Sequence, residues 1–550
     1  MRTRRLLLIF VAFCLIFSQT VQAYSFAWLP HQYQRSIAQG NSVNITSGKD
    51  INVAGTNINA VHDINVAAMG DVNITAATGT YGSAYYSHET TTGLQFGSGG
   101  NPFSLTDSGP DITMQARTDG TKQSYNRSSL TSNSGNLNVV SGGNLIASGT
   151  DLAANAGNLA LTAGGTVALL AGQDTLNQSS STLIVTNPNA FTKQHHTITD
   201  TSSSLDYQGS TAQANSIKIS SGADTVLQAA QVTSGAGGIN IDAAGDLKLL
   251  AAKNSSSSTH TETLSTDGMT IKADGTPNDT ATRRINNKAE SQNQTNQVTS
   301  LSSAGDITTH SGGDTLIEAS KLNARGAIAL SATGYAATTN ADGNTNAGRD
   351  GKITFAVVKD STYTNVADSH NSLPWQSSSG GGDYVETLKL ANISTGKGLS
   401  VNANGGVAID IPTVQATPAP APQTDAKGNI IPPVALTAEQ QAAQRQADFN
   451  TAIQNLSSQP GQAWIGQLAN DPKVQVQWNQ VQTAVQHWNY AHDGLTQEAV
   501  VVIAIVVAYF TAGAGSSMVG TRLKTRTKPT RSPPSSKRLL GVRDCLPGDL

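Results

Sequence analysis

Short triplets, in which two apolar residues flank a polar one, recur between glycines through most of this chain. The repetition is plainest between residues 135 and 172, where Leu137 and Leu159 lie 22 residues apart. Leu145 and Val167 are separated by the same number of residues. Internal periodicity of this kind is typical of repeat architectures, and it constrains the fold more strongly than any single motif.

The same pattern returns in further blocks, so the chain carries a duplicated module. With Val43, Leu137, Ile217 and Ile307 taken as equivalent, the blocks are separated by 94, 80 and 90 residues. We predict that the apolar residues of these blocks form a structural repeat ladder, whose members are Leu137, Leu145, Leu152, Leu159, Val167, Ile217, Val226, Ile239, Leu247, Ile307 and Leu316.

Each triplet is predicted to be a strand with alternating faces, and each Gly-Asn, Gly-Asp or Gly-Gly pair a corner where left-handed backbone angles cost little. Because only 13% of the residues are charged and 5% aromatic, against 52 glycines, a thick globular core is excluded. Coils of about 22 residues are therefore expected to stack in parallel at about 4.8 Å, with Leu, Ile and Val inside and Asn, Thr and Ser outside. Corner asparagines are expected to stack in ladders.

The predicted fold class is mainly β: a right-handed parallel β-helix, or solenoid, over residues 41–411, followed by a small α-helical C-terminal module. A helical repeat is excluded because Gly, Asn and Thr at these frequencies oppose helix formation, and the apolar period within each strand is two.

Segments of another kind interrupt the modules at residues 79–130, 177–214, 253–300 and 334–391. They are rich in Ser, Thr, Asn and Gln and have little apolar periodicity, so we expect insertions that project from one face of the solenoid. The run Thr362-Tyr363-Thr364 favours strands. Hairpins that leave the solenoid and disordered loops both remain open as alternatives.

The N-terminus is predicted to be a signal peptide over residues 1–23, followed by a lead-in over residues 24–40. Arg2, Arg4 and Arg5 form a basic region, Leu6 to Phe17 an apolar one, and Val21-Gln22-Ala23 a cleavage site. An uncleaved membrane anchor is disfavoured because these twelve apolar residues fall short of the roughly 20 needed. Cys14 and Cys545 leave no disulfide framework between them.

Prolines such as Pro418 and Pro420 mark a linker over residues 412–436 that is expected to end the solenoid. A helical module is predicted over residues 437–520. Its first helix begins with a capping box of Thr437 and Gln440 and carries Phe449, Ile453 and Leu456. A second helix is predicted from Asp471-Pro472, with Val474, Trp478, Val481, Val485 and Trp488 on one stripe and the tryptophans as packing residues.

An apolar segment over residues 499–515 follows, with Val500, Ile503, Val507 and Phe510 as its membrane-active candidates. A membrane-inserting hairpin and a buried core segment are equally good interpretations of it. The tail over residues 521–550 has eight basic residues between Arg522 and Arg543, and we expect it to reflect a frameshift or a truncation. Because the other charges are dispersed and the net charge is −3, no nucleic-acid partner is expected.

These repeats resemble those of the filamentous haemagglutinin family and of the CdiA-type exoproteins of contact-dependent growth inhibition. The resemblance rests on the Gly-Asn-Leu-x-Val and Gly-Gly-x-Val-x-Leu repeats of residues 135–170 and on Gly40-Asn41-Ser42-Val43-Asn44-Ile45. The region 434–520, with Gly461-Gln462-Ala463-Trp464-Ile465, is similar to the haemagglutinin-related segment that precedes the toxin in such proteins.

The resemblance implies an adhesin-like stalk, secreted or held on the outer-membrane surface of a Gram-negative cell, that presents a C-terminal toxin. It implies as partners an outer-membrane two-partner secretion transporter and a receptor on the target cell. The sequence departs from the family twice: repeats follow the signal peptide at once, where a secretion domain is expected, and no toxin domain follows residue 520.

No catalytic, cofactor-binding or metal site is predicted, and the chain is not expected to be an enzyme. The pair His195-His196 has no nearby carboxylate cluster in sequence, and Thr395-Gly396-Lys397-Gly398 lacks the remaining residues of a phosphate loop. Two alternatives stay open: a polysaccharide-active enzyme on a β-solenoid, which needs clustered acids or bases on one face, and a non-functional remnant.

Overall fold

A computed structural model of the chain describes residues 20–27, 36–91, 95–96, 105–106, 111–189, 192–271, 277–335, 338–339, 345–346, 348–372, 375–414, 423–424, 430–431 and 437–494. Its elements, in chain order, are β1 (Thr20–Ala27), β2 (Ile37–Gly40), β3 (Val43–Ser47), β4 (Ile51–Ala54), β5 (Asn57–Ala60), β6 (Ile64–Ala68), β7 (Val72–Thr75), β8 (Ala77–Thr91), β9 (Gln95–Phe96), β10 (Leu105–Thr106), β11 (Asp111–Asn126), β12 (Ser128–Ser132), β13 (Leu137–Ser141), β14 (Leu145–Ser148), β15 (Thr150–Ala163), β16 (Val167–Leu170), β17 (Gly172–Asn189), β18 (Thr192–Gln208), β19 (Thr211–Ser221), β20 (Thr225–Gln228), β21 (Gln231–Ala243), β22 (Leu247–Leu250), β23 (Ala252–Ile271), β24 (Pro277–Gln297), β25 (Ser300–Ser303), β26 (Ile307–Ser311), β27 (Thr315–Glu318), β28 (Lys321–Ala324), β29 (Ile328–Ala332), β30 (Thr338–Thr339), β31 (Thr345–Asn346), β32 (Ile353–Ala356), β33 (Val358–Ser372), β34 (Trp375–Lys389), β35 (Asn392–Thr395), β36 (Leu399–Ala403), β37 (Val407–Pro412), β38 (Gln423–Thr424), β39 (Ile430–Ile431), α1 (Ala438–Ser457), α2 (Ala463–Ala469), β40 (Val476–Val481) and β41 (Val485–Gly494).

Two parallel sheets form the solenoid, which confirms the predicted fold class. One sheet has fifteen strands and covers two faces, because β15, β19 and β21 run across both. We call these face 1, which starts at β2, and face 2, which starts at β3. The other sheet, face 3, has ten strands in the order β4-β7-β14-β16-β20-β22-β27-β32-β37-β40. Each coil of the chain contributes one strand segment to each face.

Equivalent apolar side chains stack rung over rung inside the coils. On face 2, paired residues follow one another without interruption through Val43, Ile64, Leu137, Leu159, Ile217, Ile239, Ile307, Ile328 and Leu399. Leu137 and Leu159 are almost fully buried, as are Leu145 and Val167 on face 3. Each rung buries a few aliphatic groups, and stacking makes them into one continuous core.

A second kind of sheet grows out of every second coil. Where face 3 would turn back to face 1, the chain instead forms a long hairpin: β8 with β11, β17 with β18, β23 with β24, and β33 with β34. These strands pair with one another into a ten-stranded antiparallel sheet, β1-β8-β11-β17-β18-β23-β24-β33-β34-β41, which we call the hairpin sheet. The described residues of the predicted insertions therefore form mainly hairpin strands, and the insertion over residues 334–391 also contains β32, a strand of face 3.

The coils without a hairpin close through a single residue with positive φ. This residue is Gly55, Gly149, Ala229 or Ala319 in successive hairpin-free coils, with φ between 45° and 59°. The predicted left-handed conformation of the glycine corners is found in part: Gly238, Gly398 and Gly406 also have positive φ, whereas most other corner glycines do not.

Most corner glycines are present for a different reason, namely the close approach of the coil beneath. A Cβ on Gly165 would lie 2.5 Å from Oδ1 of Asn144, and a Cβ on Gly135 would lie 2.5 Å from Oδ1 of Asp63. In both cases that oxygen accepts the backbone N–H of the residue after the glycine: Thr166 N to Asn144 at 3.0 Å and Asn136 N to Asp63 at 2.7 Å. The Gly-Asx motif thus provides both the acceptor and the space that it occupies.

The two helices of the described residues, α1 and α2, close the C-terminal end of the solenoid. The capping box is present, with Thr437 Oγ1 accepting from Gln440 N at 3.2 Å and Thr437 N donating to Gln440 Oε1 at 2.9 Å. Trp464 of α2 is buried against Phe355, with ring centroids 4.5 Å apart, and its Nε1 donates to Ala391 O at 3.3 Å. Gly461 O accepts the N–H of Ile393, so the cap also satisfies the edge of face 1.

The predicted second helix is wrong, because its residues form β40 and β41. Val474, Val476 and Trp478 alternate with Gln475 and Gln477, which is a period of two. The helical stripe from Val474 to Trp478 leaves out Val476 and so misses this period. β40 pairs in parallel with β37, and β41 pairs antiparallel with β34. The solenoid sheet therefore resumes after the linker and does not end at residue 411.

We predict that Gly165→Ala destabilises the solenoid by about 1–3 kcal/mol, because the new methyl group overlaps the Asn144 amide. Gly48→Ala is the matched control, since no heavy atom lies within 4 Å of its Cβ position. Thermal and denaturant unfolding of both variants measures the difference. Equal loss in the two variants would contradict this account of the corner.

Candidate functional surface: the hairpin sheet

The hairpin sheet is a single layer with no second layer against either face in the described residues. Its described side chains are exposed or half-buried along most of the strands, and among those of them that lie far from the solenoid only Tyr363 and Asn365 are buried. The solenoid buries its inward apolar side chains, whereas this sheet presents two faces rich in Ser, Thr, Asn and Gln.

A shallow trough crosses the middle of the sheet where small residues face each other on successive strands. It has a volume of about 500 Å³. Paired residues place Ser202 beside Ser258, Ser258 beside Ser291, and Ser291 beside Thr364. Along the same trough lie Ser180, Asp200 and His260. Such a row of hydroxyl groups offers donors and acceptors to a polar ligand, with little steric obstruction.

Histidine–carboxylate pairs join the second hairpin to the third, across the seam between β18 and β23. His196 Nε2 lies 2.7 Å from Glu262 Oε1, and His260 Nδ1 lies 2.6 Å from Asp200 Oδ1. His195 Nε2 lies 3.9 Å from Asp267 Oδ2. The hydrogen bond from His196 is the main cause that lowers the pKa of Glu262. The acidic partners of the His195-His196 pair thus come from the next hairpin, which its sequence neighbourhood does not show.

These pairs do not assemble a metal site. Nowhere in the part of the chain that the structure describes do three or more His, Cys, Asp or Glu side chains come together as metal ligands.

Aromatic residues of β41 lie over glycines of β34, its neighbour in the hairpin sheet. A Cβ on Gly382 would lie 2.5 Å from Trp488 Cζ2, and a Cβ on Gly380 would lie 2.6 Å from the hydroxyl of Tyr490. Trp488 also stacks on Tyr363, with centroids 5.7 Å apart, and burial raises the pKa of Tyr363 to about 12. The predicted packing role of Trp488 agrees with these contacts, which fix the register of a glycine-rich strand.

Glu386 of β34 binds the residue just before β41 and so holds the start of β41 against the hairpin sheet. Glu386 Oε2 accepts from Lys359 Nζ at 2.9 Å and from Ala484 N at 2.9 Å, and its Oε1 accepts from Tyr384 at 2.8 Å. Burial alone would raise the pKa of Glu386, but these three donors outweigh it and hold the pKa below the usual value.

Carboxylates stack along the corner between face 2 and face 3. Asp224 Oδ1 accepts from Asp246 N, Asp246 Oδ1 from Asp314 N, and Asp314 Oδ1 from Lys352 N, all at 2.9 Å. Lys248 and Arg349 pair with these acids.

The carboxylates of this stack accept backbone N–H groups, and Asp224 lacks the raised pKa of a general acid. Burial raises the pKa of Asp224, but the bonds from Lys248 and Asp246 N outweigh it, so the pKa is lowered. A general acid in glycoside cleavage needs the opposite shift.

The structure separates the predicted ladder residues into two groups. Leu137, Leu145, Leu152, Leu159, Val167, Ile217, Ile239, Leu247 and Ile307 point into the core. Val226 and Leu316 do not: Thr225 and Thr315 take the inward positions beside them and share hydrogen bonds of 2.8 Å with Ser221 and Ser311. An inward threonine can replace an apolar residue because its hydroxyl forms a hydrogen bond with a serine across the corner. Only the folded coil brings these two residues together.

The membrane-active candidates Val500, Ile503, Val507 and Phe510 lie outside the described residues. Neither helix in the described part of the chain has the length and apolarity that crossing a bilayer requires.

A family model described as hemagglutinin repeat matches residues 30–185 and 191–347, more than half of the chain. The two matches meet at the tip of the second hairpin, so each covers coils and hairpin strands together. Comparison with curated proteins and with solved structures gave no match.

We predict that Asp246→Ala speeds hydrogen exchange of the Asp314 amide by about tenfold or more, because its acceptor is lost, a cost of about 1–3 kcal/mol. Asp246→Asn should stay within a few-fold of the parent, since Asn144 performs the same role in another coil. Residue-resolved exchange by NMR or mass spectrometry measures both. Similar rates for the Ala and Asn variants would show that the stack does not depend on this acceptor.

We predict that acid loosens β41 through Glu386. The folded pKa lies below the unfolded value of about 4.3, so the stabilisation is complete above that value and is lost as pH falls through the folded pKa. Amide protection in β41 should fall as the pH drops below about 4.3 in the parent, and much less in Glu386→Gln, which is uncharged throughout. Equal pH dependence in both proteins would assign the effect to other groups.

Proposed function

The chain belongs to the hemagglutinin repeat family, and we propose that it acts as an adhesin-like stalk whose hairpin sheet binds the surface of another cell. Proteins with this repeat are typically secreted or surface-exposed adhesins of bacteria rather than enzymes. The observation that carries the proposal is the contrast between the two parts of the fold. The solenoid buries its apolar ladder, whereas the single-layer hairpin sheet leaves both of its polar faces accessible in the described residues.

The trough is the part of that sheet best suited to contact. Ser202, Ser258 and Ser291 are exposed and lie in adjacent positions on three strands, so their hydroxyls form a regular row. The strands that hold them are paired on both sides, and this keeps the row in a fixed geometry before a ligand binds.

We also propose that residues 1–23 direct export and, from the family resemblance, that an outer-membrane two-partner transporter secretes the chain and that it functions in contact-dependent growth inhibition. The basic and apolar regions of residues 2–17 support export. The toxin-delivery role rests on the similarity of residues 434–520, of which the structure describes residues 437–494 as the cap and the last strands.

We predict that filling the trough abolishes attachment. The triple variant Ser202→Trp, Ser258→Trp, Ser291→Trp should bind target cells at least about tenfold more weakly than the parent, equivalent to about 1.4 kcal/mol. Ser400→Trp, on the exposed outer side of face 2, is the control and should bind normally. Binding of labelled full-length protein to intact cells is the measurement. Unchanged binding of the triple variant would move the adhesive surface elsewhere, and no binding by the parent would reject the adhesin proposal.

A further inference from the structure

The hairpin sheet ends at β41, whose outer edge has no neighbouring strand among the described residues. β41 is ten residues long, its register with β34 is unbroken, and it contains neither Lys nor Pro. Proteins protect edge strands with those residues, with bulges or with short length, because an unprotected edge pairs with other chains. β41 has none of these protections.

The direction of its free backbone groups follows from one hydrogen bond. Glu386 N donates to Ala484 O at 2.9 Å, so the backbone of residue 484 faces β34. In an antiparallel pair the groups alternate, and the even-numbered residues of β41 therefore also face β34. The odd-numbered residues direct their N–H and C=O groups outward, and these are Val485, His487, Asn489, Ala491 and Asp493.

The side chains along the outer edge of β41 can pair with those of β41 in a second copy of the chain. His487 and Asp493 lie three residues on either side of Tyr490, so an antiparallel copy centred on Tyr490 places each histidine opposite an aspartate. Asn489 then lies opposite Ala491. A two-fold interface uses the same surface on both partners, and a strand with a histidine and an aspartate at equal distances from its centre meets that condition.

We propose that β41 pairs antiparallel with β41 of a second copy of this chain, about a two-fold axis at Tyr490. The outward groups of residues 487, 489, 491 and 493 then form about eight backbone hydrogen bonds. His487, which already lies 2.6 Å from Asp383 on the neighbouring strand, faces two carboxylates in the dimer. The two hairpin sheets become one continuous sheet, with a trough on each half. This pairing does not depend on the proposed adhesive function.

Substitution with proline tests the pairing, because the N–H of Asn489 points outward, to the side where no described strand pairs with β41. Asn489→Pro in the full chain removes that donor and leaves the bonds of even-numbered residues to β34 in place. Asn489→Ala is the matched control. Light scattering over a range of concentrations should show dimers for the parent and for Asn489→Ala, and monomers for Asn489→Pro. Amide protection of Trp488 and Tyr490 should be equal in all three, which shows that β41 stays folded.

Charge exchange tests the register. Asn489→Lys with Ala491→Lys sets lysines opposite each other, and Asn489→Glu with Ala491→Glu does the same with glutamates, so each variant alone should be monomeric. Mixed, they should form a heterodimer. A parent that is monomeric at all concentrations, a dimer that survives Asn489→Pro, or concentration-independent protection of the Asn489 and Ala491 amides would each overturn the proposal. The last result would show that the chain covers its own edge.

Discussion

The hydrogen-bond spacing of about 4.8 Å between neighbouring strands sets the repeat distance of both the solenoid and the hairpin sheet. Each coil advances the solenoid by one strand, and each hairpin advances the hairpin sheet by two. Because one hairpin leaves every second coil, the parallel and the antiparallel sheets lengthen at the same rate and stay continuous side by side. Two coils and one hairpin therefore form the repeating unit, which explains a module of 80 to 94 residues where a coil alone takes 22.

Corner chemistry makes such a thin structure stable with few bulky residues. An Asn or Asp side chain on one coil accepts the N–H of the next, as Asp71 does for Asn144 at 2.6 Å and Asn144 for Thr166 at 3.0 Å. The glycine before the donating residue, Gly143 or Gly165 in these two cases, leaves room for the accepting oxygen. The high content of Gly and Asn is thus a requirement of stacking, and the ladder of Leu, Ile and Val supplies the apolar part of the core.

The solenoid could be predicted from sequence because its signal is local and repeated: glycine, a polar residue, and apolar residues at a period of two. The hairpin sheet could not, since its stability comes from neighbours that lie 50 to 100 residues away, as when His196 meets Glu262 or Glu386 meets Ala484. Exposed strands on both faces have no apolar alternation, so disorder and order look alike in sequence.

The remaining errors have the same origin. The sequence pattern predicts Val226 and Leu316 in the core, because the inward threonines beside them have partners only in the folded coil. It predicts a helix over residues 474–488, because the open edges of β37 and β34, with which these residues pair as strands, lie far away in the sequence. The trough also depends on register between distant hairpins, so no sequence motif marks it.

Two deletions test most directly whether the sheets must keep the same pitch. Removing residues 211–230 takes out one coil and joins Ser210 to Gln231, the paired equivalent of Thr211. Removing residues 211–299 takes out two coils and one hairpin and joins Ser210 to Ser300, the paired equivalent of Gln231. Hydrogen exchange along β18 should stay slow after the larger deletion and become fast after the smaller one. The smaller deletion makes two hairpin-bearing coils neighbours, so that the two strands of each hairpin have the width of only one strand. Equal protection of β18 in both proteins would contradict the shared pitch.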